Sequence, residues 1–293
     1  MTTEDGSSVS IRPLKAWSEY LAAEELQRVV WQMLDWRDVV PANLMIAVNK
    51  NAGLALGAFA SDGRLVGLAF GFIGMEKYAG QSKLKHHSHM LAVLPAYQSQ
   101  KIGVRLKFGQ REETLARGID LMTWTYDPLQ ARNANLNLMR LGAIARRYLV
   151  GAYGEMTDGL NAGIASDRFE AEWWLNAPRA RECAAGRPPR LEWDALVRAG
   201  AQAVFRVRLD ARGLPHIESE DDARGEQLLL EIPAHIGAVK AGSLDLAREW
   251  RARTRDAFQR VFAAGYAATG FVFTMQDGHS RAAYVLSNEP VET

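Results

Sequence analysis

The chain has 293 residues, of which 48% are hydrophobic and 24% are charged, enough apolar residues for one large core or two smaller ones. Its 35 Lys and Arg residues almost balance its 34 Asp and Glu residues. The resulting net charge of +1 argues against a general nucleic-acid binder, which needs a surplus of positive charge to contact phosphates. The polar N-terminus and the lack of an apolar run near the ~20 residues of a membrane span predict a cytoplasmic protein with no membrane partner.

The N-terminal half of the sequence alternates between strand and helix patterns. Apolar residues recur three or four apart in residues 18–34 and 102–117, which is the spacing of an amphipathic helix. A turn containing Asp62 and Gly63 joins two apolar runs and predicts a hairpin. The predicted order is strand 10–13, helix 18–34, strands 53–60, 64–73 and 86–94, helix 102–117, strand 121–126 and helix 133–142. This order predicts an α/β fold with a mixed sheet flanked by helices.

The composition changes in the C-terminal half. Residues 177–190 contain three prolines and several arginines, a composition typical of a linker. Beyond it we predict strands 205–209 and 228–232, a helix over 245–262, and a closing hairpin of 270–275 with 282–286. The sequence therefore predicts one domain over residues 1–156, a connecting segment over 157–190, and a smaller α+β region over 191–293.

The most informative stretch leads from the strand at 86–94 into the helix at 102–117. Pro95 ends the strand, a short polar loop follows, and Gly103 lies in the first turn of the helix. The unpaired N–H groups and the positive dipole at a helix N-terminus favour anions, so this loop is suited to a pyrophosphate. Gln98 and Lys101 would add side-chain donors, and Gly103 would permit close approach of the backbone to the ligand.

At this stretch the sequence resembles the GNAT superfamily of N-acyltransferases. Its hallmark is an apolar strand with a Val-x-Pro-like end, followed by [Arg/Gln]-x-x-Gly-x-[Gly/Ala]. Residues 98–103 read Gln-Ser-Gln-Lys-Ile-Gly, which matches the first and last positions but has Lys101 where glycine is usual. Residues 133–142 are similar to the family's Asn-containing helix that ends in Leu-Gly. The resemblance covers about residues 10–155.

The resemblance implies an acyl-CoA cosubstrate and the residues that would contact it. Backbone groups of Leu91 and Val93 would contact the pantetheine arm, and Asn133 would bond the pantetheine or the adjacent phosphates. The residues expected around the pyrophosphate are Gln98, Gln100, Lys101, Ile102, Gly103 and Val104. We expect no metal site, because adjacent histidines of residues 86–89 point to opposite faces of a strand and no further ligand completes a set.

The wider pattern of residues 124–129, 133–142, 167–169 and 172–174 resembles one poorly characterised GNAT branch with a C-terminal extension. Members of that branch are linked with pathways of N-acylamino-acid racemization. This narrower resemblance implies succinyl-CoA and an amino acid, whereas the wider family resemblance leaves acetyl-CoA open.

Acyl transfer to an amine requires a group that removes a proton from the attacking ammonium. Counting back from Gln98, the family's usual position for a base falls at His87, and His89 has the same strand parity. With a pKa near the ordinary value of about 6.5, either histidine could accept a proton at neutral pH. Glu76 is an alternative base.

The departing thiolate must also be protonated or stabilised. The family's usual acid is a tyrosine shortly before Leu-Gly, and the corresponding residue here is Leu138. We therefore consider Tyr126, Tyr148 or Tyr153 as a replacement, with Tyr148 as the chosen candidate.

Together these expectations predict an N-acyltransferase. It would transfer an acetyl or succinyl group from acyl-CoA to a primary amine of a small molecule, such as an amino acid. No nucleic-acid partner is expected, and a homodimer is one assembly left open. An alternative from another class is a non-catalytic GNAT-like module that binds acyl-CoA as a sensor or scaffold, which Leu138 and Lys101 favour. A third is an unrelated α/β ligand-binding protein, which would have no affinity for CoA.

Overall fold

The computed structural model describes residues 9–33, 35–78, 80–154, 163–276 and 278–292. The chain divides into two compact units, with the division between Trp124 and Thr125. The domain boundary predicted at residues 156–157 lies outside the described residues. In the ranges given above, no helix has both the length and the apolar character that crossing a membrane requires.

Unit 1, described from residue 9 to 124 apart from 34 and 79, is a sheet with helices on both faces. Its elements are β1 (Ser10–Pro13), α1 (Trp17–Trp31), α2 (Ala42–Lys50), β2 (Leu54–Phe59), β3 (Leu65–Tyr78), β4 (Gln81–Val93), α3 (Ile102–Ala116) and β5 (Leu121–Tyr126), with short 3-10 helices at Trp36–Asp38 and Pro95–Tyr97. The spatial order of the strands follows the sequence from β1 to β5, and β5 runs past the division. Neighbouring strands are antiparallel except β4 and β5, which are parallel.

Helices cover both faces of the sheet of unit 1. On one face, α1 and α2 contribute Leu26 and Met45 to a core with Phe70. On the other face, Ile102 and Leu106 of α3 join a second core. Because both of its faces are covered, every residue of β2 is buried, and the strand has a continuous run of apolar and small residues.

Unit 2, described over residues 125–154, 163–276 and 278–292, contains a second group of strands. Its elements are α4 (Ala131–Ala134), a π-helix (Asn135–Arg140), β6 (Ile144–Leu149), β7 (Arg168–Trp174), α5 (Pro178–Ala184), α6 (Trp193–Arg198), β8 (Gln202–Ala203), β9 (Phe205–Leu209), β10 (Pro215–Glu220), β11 (Gln227–Ile232), α7 (Ile236–Gly242), α8 (Leu244–Ala263), β12 (Ala267–Gln276) and β13 (His279–Ser287). The strand order is β7-β6-β12-β13-β11-β8, and β9 with β10 forms a separate pair. These elements confirm the mixed α/β class.

Aromatic side chains form much of the interior of unit 2. The ring of Phe169 on β7 lies 4.6 Å from the ring of Phe258 on α8, and the ring of Phe258 lies 5.1 Å from that of Tyr284 on β13. All three side chains are fully buried. These edge-to-face contacts hold α8 against the strands.

Two of the sequence expectations are corrected by unit 2. The linker expected over 177–190 contains α5, in which Pro178 occupies the first turn and Ala180 and Cys183 are buried. Proline suits the first helical position because the missing N–H would have no helical partner there. The helix expected over 133–142 begins earlier, at Ala131, and continues as a π-helix from Asn135.

Candidate functional site

The C-terminal half of β4 has one edge without a paired strand in the described part of unit 1. β4 pairs with β5 only at His86↔Met122 and His87↔Thr123. Immediately afterwards β4 has an extra residue, His89, because Ser88 lies opposite Gly71 while Met90 lies opposite Phe70. The two strands therefore stop pairing after Thr123, and we call the opening beyond this last pair the fork.

Leu91 and Val93 direct their backbone groups toward the fork. The next residue, Leu94, donates its N–H to the carbonyl of Val66 on β3 at 2.9 Å. Because backbone groups of successive strand residues point to opposite edges, those of Leu91 and Val93 face away from β3. These are the two residues expected to contact a pantetheine arm, and that assignment stays a prediction.

The loop that follows β4 contains two non-glycine residues in the left-handed region. Ser99 has a φ of 69° and Lys101 has a φ of 60°. Lys101 thus has the backbone conformation that glycine adopts without strain, which accounts for glycine at this position in the family motif. A left-handed residue followed by a helical one aligns successive N–H groups around a concavity that suits an anion.

The first turn of α3 points its N–H groups at this loop. Lys101 is the N-cap, and no side chain of the described residues accepts a hydrogen bond as its cap. The N–H groups of Ile102, Gly103 and Val104 have no partner within the helix, and the dipole of the 15-residue helix adds positive potential there. The first turn of α3 thus presents unpaired N–H groups to the loop, and pyrophosphate binding there stays a prediction.

Gly103 lies beside the side chains of Leu91 and Val93. Its φ is not among the positive values, so its conformation does not require glycine. A Cβ at this position would lie 3.8 Å from Leu91 Cδ2 and 3.9 Å from Val93 Cγ2, which is ordinary contact. Neither the backbone conformation nor the packing therefore requires glycine at this position, and its role in coenzyme binding stays a prediction.

Two glutamines flank the left-handed residues of the loop. Gln98 donates a hydrogen bond from Nε2 to the carbonyl of Val93 at 3.2 Å, so its amide supports the loop and occupies that carbonyl. Gln100 is half-buried, and its Oε1 is buried without a hydrogen-bond partner among the described residues. An unpartnered buried acceptor of this kind calls for a donor from a ligand or a water.

His87 and His89 form an aromatic group with Phe72. The ring of Phe72 lies 5.2 Å from that of His87 and 6.0 Å from that of His89. Burial lowers the pKa of His87 to about 4, and burial also lowers the pKa of His89. The ordinary pKa expected for these histidines is therefore corrected: both are neutral at pH 7, and His87 is a weaker base than expected. Their catalytic role stays a prediction.

Tyr148 and Asn133 belong to unit 2. The hydroxyl of Tyr148 donates to Asp167 Oδ2 at 2.8 Å, and the same carboxylate receives two hydrogen bonds from Arg255, at 2.8 and 3.0 Å. Burial raises the pKa of Tyr148 well above its ordinary value. Asn133 lies on α4 with an exposed side chain. The roles expected for both residues remain predictions.

Among the other proton-transfer candidates, Glu76 and Tyr153 have partners, whereas the Tyr126 hydroxyl is buried without a hydrogen-bond partner among the described residues. Glu76 forms an ion pair with Lys85 at 2.5 Å. The hydroxyl of Tyr153 lies 2.6 Å from Thr125 Oγ1. No three His, Cys, Asp or Glu side chains come together to hold a metal ion in the part of the chain that the structure describes.

A buried polar group under α3 was missed by the sequence predictions. Lys107 Nζ donates to Ser88 Oγ at 2.8 Å, and Ser88 Oγ donates to Gln110 Oε1 at 2.9 Å. All three residues are buried. The signal was available, because Lys107, Gln110 and Thr114 recur at the spacing of one helical face, on a helix whose inner face should be apolar.

Comparisons with known proteins give similarities of fold. The sequence matches no protein-family model, and no curated protein matches it. Arabidopsis thaliana NAA60 in complex with a bisubstrate analogue shares 13% identity over 58% of this chain and 100% of the matched chain, with a TM-score of 0.44. The ribosomal-protein-S18-alanine N-acetyltransferase from Escherichia coli shares 15% identity over 56% and 92% of the two chains, with a TM-score of 0.43.

A protein of the GNAT family from Desulfovibrio desulfuricans gives a similar result. It shares 14% identity over 57% of this chain and 99% of the matched chain, with a TM-score of 0.43. The solved structures similar to this chain thus include members of the GNAT family, and each similarity covers just over half of this chain.

Proposed function

We propose that this chain is an acyl-CoA-dependent N-acyltransferase. The observation that carries the proposal is that one continuous segment, residues 88–104, combines a strand edge with no paired strand among the described residues, a loop with two left-handed residues, and the first turn of a helix. The motif resemblance at 98–103 falls within that segment. Acyl-CoA presents an extended amide-containing arm and a pyrophosphate, and these would bind the strand edge and the helix turn respectively.

The coenzyme would bind through backbone groups more than through side chains. The pyrophosphate would accept hydrogen bonds from the N–H groups of Ile102, Gly103 and Val104, with the exposed ammonium of Lys101 adding charge. The pantetheine amides would pair with Leu91 and Val93 along the fork. The carbonyl of Val93 already accepts one hydrogen bond from Gln98, so its N–H would be the main group that pairs with the pantetheine arm.

Catalysis would be direct transfer of the acyl group to a primary amine. N–H groups at the fork edge would polarise the thioester carbonyl, so that negative charge on its oxygen is stabilised as the amine attacks. Holding the thioester and the amine together removes much of the entropic barrier. His87 and His89, being neutral, would accept a hydrogen bond from the incoming amine and orient it.

The finer substrate assignments belong to the same proposal. The acyl group is acetyl or succinyl, and the acceptor is a small molecule with a primary amine, an amino acid being the leading candidate. We further propose that residues 1–156 contain the acyl-transfer machinery, that the C-terminal region shapes the acceptor side, and that the enzyme acts in the cytoplasm.

Thermal unfolding with CoA, acetyl-CoA and succinyl-CoA tests the proposal at its first step. A ligand at a hundred times its Kd stabilises the folded chain by about 2.7 kcal/mol, which is readily detected. Gly103→Leu should weaken CoA binding about 10-fold or more, because the leucine would fill the space beside Leu91 and Val93. Gly237→Leu is a matched control, since Gly237 is also the second residue of a helix and has open space around it.

The outcomes separate the alternatives. A thermal shift that Gly103→Leu removes and Gly237→Leu retains supports the proposed loop. No shift with any CoA species at millimolar concentration would contradict the proposal and favour an α/β protein without CoA affinity. A preference for succinyl-CoA over acetyl-CoA would support an acidic acyl group.

A non-catalytic acyl-CoA-binding module is the second candidate function. It is favoured by Leu138, which is fully buried and has no proton to give, and by Tyr148, whose hydroxyl already donates to Asp167. A panel of amino acids and small primary amines incubated with acetyl-CoA distinguishes the two. Release of free thiol together with an N-acyl product supports the enzyme, whereas CoA binding without any release supports the sensor.

A further inference from the structure

A lysine is buried in unit 1 without a carboxylate partner. Lys107 on α3 is 2% exposed, and its Nζ lies 2.8 Å from Ser88 Oγ and 3.9 Å from Met122 Sδ. The same nitrogen lies 3.7 Å from the centre of the Trp124 ring. No acidic side chain pairs with it anywhere in the described ranges. Burying an ammonium without a carboxylate has a high free-energy cost, so lysine is rare at such a position.

The position of this amine coincides with the start of the fork. Ser88 directly follows His87, the last residue of β4 that pairs with β5. Met122 and Trp124 flank Thr123, the last paired residue of β5. Lys107 Nζ therefore touches both strands at the level where they stop pairing.

The hydrogen bonds of Lys107 to described residues use its N–H groups and not its lone pair. Ser88 gives its hydroxyl hydrogen to Gln110 Oε1, at 2.9 Å, so the Ser88 oxygen can only accept from Lys107. Burial holds the pKa of Lys107 well below its ordinary value, which favours the neutral amine. A neutral amine that donates to Ser88 keeps one lone pair with which to accept a proton.

The charged and titratable groups around Lys107 do not restore its pKa to the ordinary value. On β4 the charges of His86 and His87 would interact with that of Lys107, but burial lowers their pKa values to about 3 and about 4, so both histidines are neutral at pH 7. From β5 it is contacted by Met122 and the Trp124 ring, which do not ionise in this range. On α3 its polar neighbour is Gln110, which it reaches through Ser88.

We propose that Lys107 carries the proton of the acyl-transfer reaction, a role that rests on the proposed function. As the acceptor amine forms its C–N bond to the thioester carbon, the Lys107 amine takes the proton that the new ammonium releases. The C–S bond then breaks, the sulfur keeps the electron pair, and the Lys107 ammonium returns the proton to the thiolate. The products are the amide and CoA thiol, and Lys107 is neutral again. Leu138, at the position expected for the acid, has no proton to give to the thiolate.

A titration of bound CoA tests the contact without any knowledge of the acceptor. The ultraviolet absorbance of the CoA thiolate is followed against pH in complexes of the wild-type chain, Lys107→Met and Lys107→Gln, with desulfo-CoA as the blank. The neutral Lys107 amine can accept the thiol proton, and the ammonium that forms stabilises the thiolate, so thiolate absorbance should appear at lower pH in the wild type than in either variant. Lys107→Gln can still donate to Ser88, so it keeps the local hydrogen bond if Lys107→Met fails to fold.

Lys83→Met is the matched control for this titration. Lys83 lies on β4, one of the two strands that border the fork, and its ammonium pairs with Asp120 at 2.9 Å. The control should leave the thiol titration at its wild-type position. An unchanged titration in both Lys107 variants, with CoA binding retained in the thermal shift, would overturn the proposal. A wild-type chain that gives no thermal shift with CoA would instead refute the proposed function itself.

Kinetics provide a second readout with acetyl-CoA and the best amine of the panel. Loss of the proton carrier should lower kcat about 100-fold or more in Lys107→Met and Lys107→Gln, with little change in KM for acetyl-CoA. The wild-type rate should rise with pH through the ionisation of Lys107, and this rise should be absent from both variants. Variants that retain the wild-type pH profile, whatever their rate, would show that Lys107 acts only as part of the packing.

Discussion

The side-chain amide of Gln98 donates a hydrogen bond to the backbone carbonyl of Val93, with 3.2 Å between nitrogen and oxygen. This bond joins the loop before α3 back to the end of β4, so it links the turn proposed to bind pyrophosphate with the fork. One glutamine thus supports the two halves of the proposed coenzyme site, a role that the motif alone does not reveal.

Gln98→Met should weaken CoA binding, because methionine keeps the length of the side chain but removes the donor. A hydrogen bond of this kind contributes about 0.5–1.5 kcal/mol, which corresponds to a roughly 2- to 12-fold increase in Kd. Isothermal titration with CoA measures the change. Gln81→Met, at the exposed start of the same strand, should bind CoA as the wild type does. Equal affinities for the two variants would show that the bond to Val93 does not support the site.

A close approach between Gly71 and β4 gives a prediction about stability. A Cβ on Gly71 would lie 2.4 Å from His86 Nε2 and 2.5 Å from the carbonyl oxygen of His87. Gly71→Ala should therefore lower the free energy of unfolding by about 1–3 kcal/mol, the usual cost of overpacking. Gly74→Ala on the same strand is the control, because its nearest atoms, on the Lys85 side chain, would be 3.8 Å away.

Urea denaturation of both variants measures these values. Adding His86→Ala to Gly71→Ala should recover only part of the loss that the glycine substitution causes, because the carbonyl of His87 still obstructs the new methyl group. A Gly71→Ala chain as stable as Gly74→Ala would refute the close approach.

The buried histidines predict that stability falls as the pH is lowered. The pKa values of His86 and His87 are about 3 and about 4 in the folded chain, against about 6.5 when unfolded. Between about pH 6.5 and 4 the unfolded chain therefore binds protons that the folded chain does not, so acidification favours unfolding. The stability that these groups contribute is fully present above about pH 6.5 and is lost progressively below it.

Each such histidine contributes a slope of at most about 1.4 kcal/mol per pH unit in the free energy of unfolding. Urea denaturation at intervals from pH 7 to 5 measures the slope, and His86→Leu should make it shallower. Glu19 and Asp210 contribute mainly below this window, because their pKa values are about 2 in the folded chain and roughly 4 in the unfolded chain. A slope that is the same in the wild type and His86→Leu would contradict a neutral buried His86.

Local patterns in the sequence were sufficient for many elements of the fold. The strands β1 and β5 have the predicted bounds, and α3 ends within one residue of its prediction, because propensity, apolar spacing and end signals agree at these places. β4 begins five residues before its predicted start, at Gln81, since cross-strand pairing with β3 stabilises a polar stretch. The strand β7 was not predicted: ion pairs such as Arg147 with Glu170 allow its carboxylates to be buried.

The candidate site could be predicted only in part, because some of its features depend on contacts between residues that are distant in the sequence. The motif predicts the loop and the first turn of α3 because both depend on adjacent residues. The fork depends on where β4 and β5 stop pairing, and the neutral state of His87 depends on what covers it, so both are tertiary properties. Lys107 had a signal in the helical spacing of its polar neighbours, but its partner Ser88 lies on another element.

Lys101 gives a last prediction, in which two substitutions separate backbone strain from charge. A non-glycine residue in the left-handed region costs roughly 1–2 kcal/mol, and Lys101 has a φ of 60°. Lys101→Gly removes this strain, whereas Lys101→Ala keeps it, and both remove the exposed ammonium. Lys101→Gly should therefore be more stable than Lys101→Ala by about 1 kcal/mol, since the added flexibility of glycine in the unfolded chain offsets part of the gain.

Both variants should bind CoA more weakly than the wild type and by a similar factor, because the lost charge is the same. Urea denaturation and titration with CoA at two salt concentrations measure the two effects, and the difference in affinity from the wild type should shrink at high salt. Equal stabilities of the two variants would refute the strained conformation of Lys101. Wild-type affinity for CoA in both variants would show that the Lys101 ammonium does not contribute to the proposed pyrophosphate site.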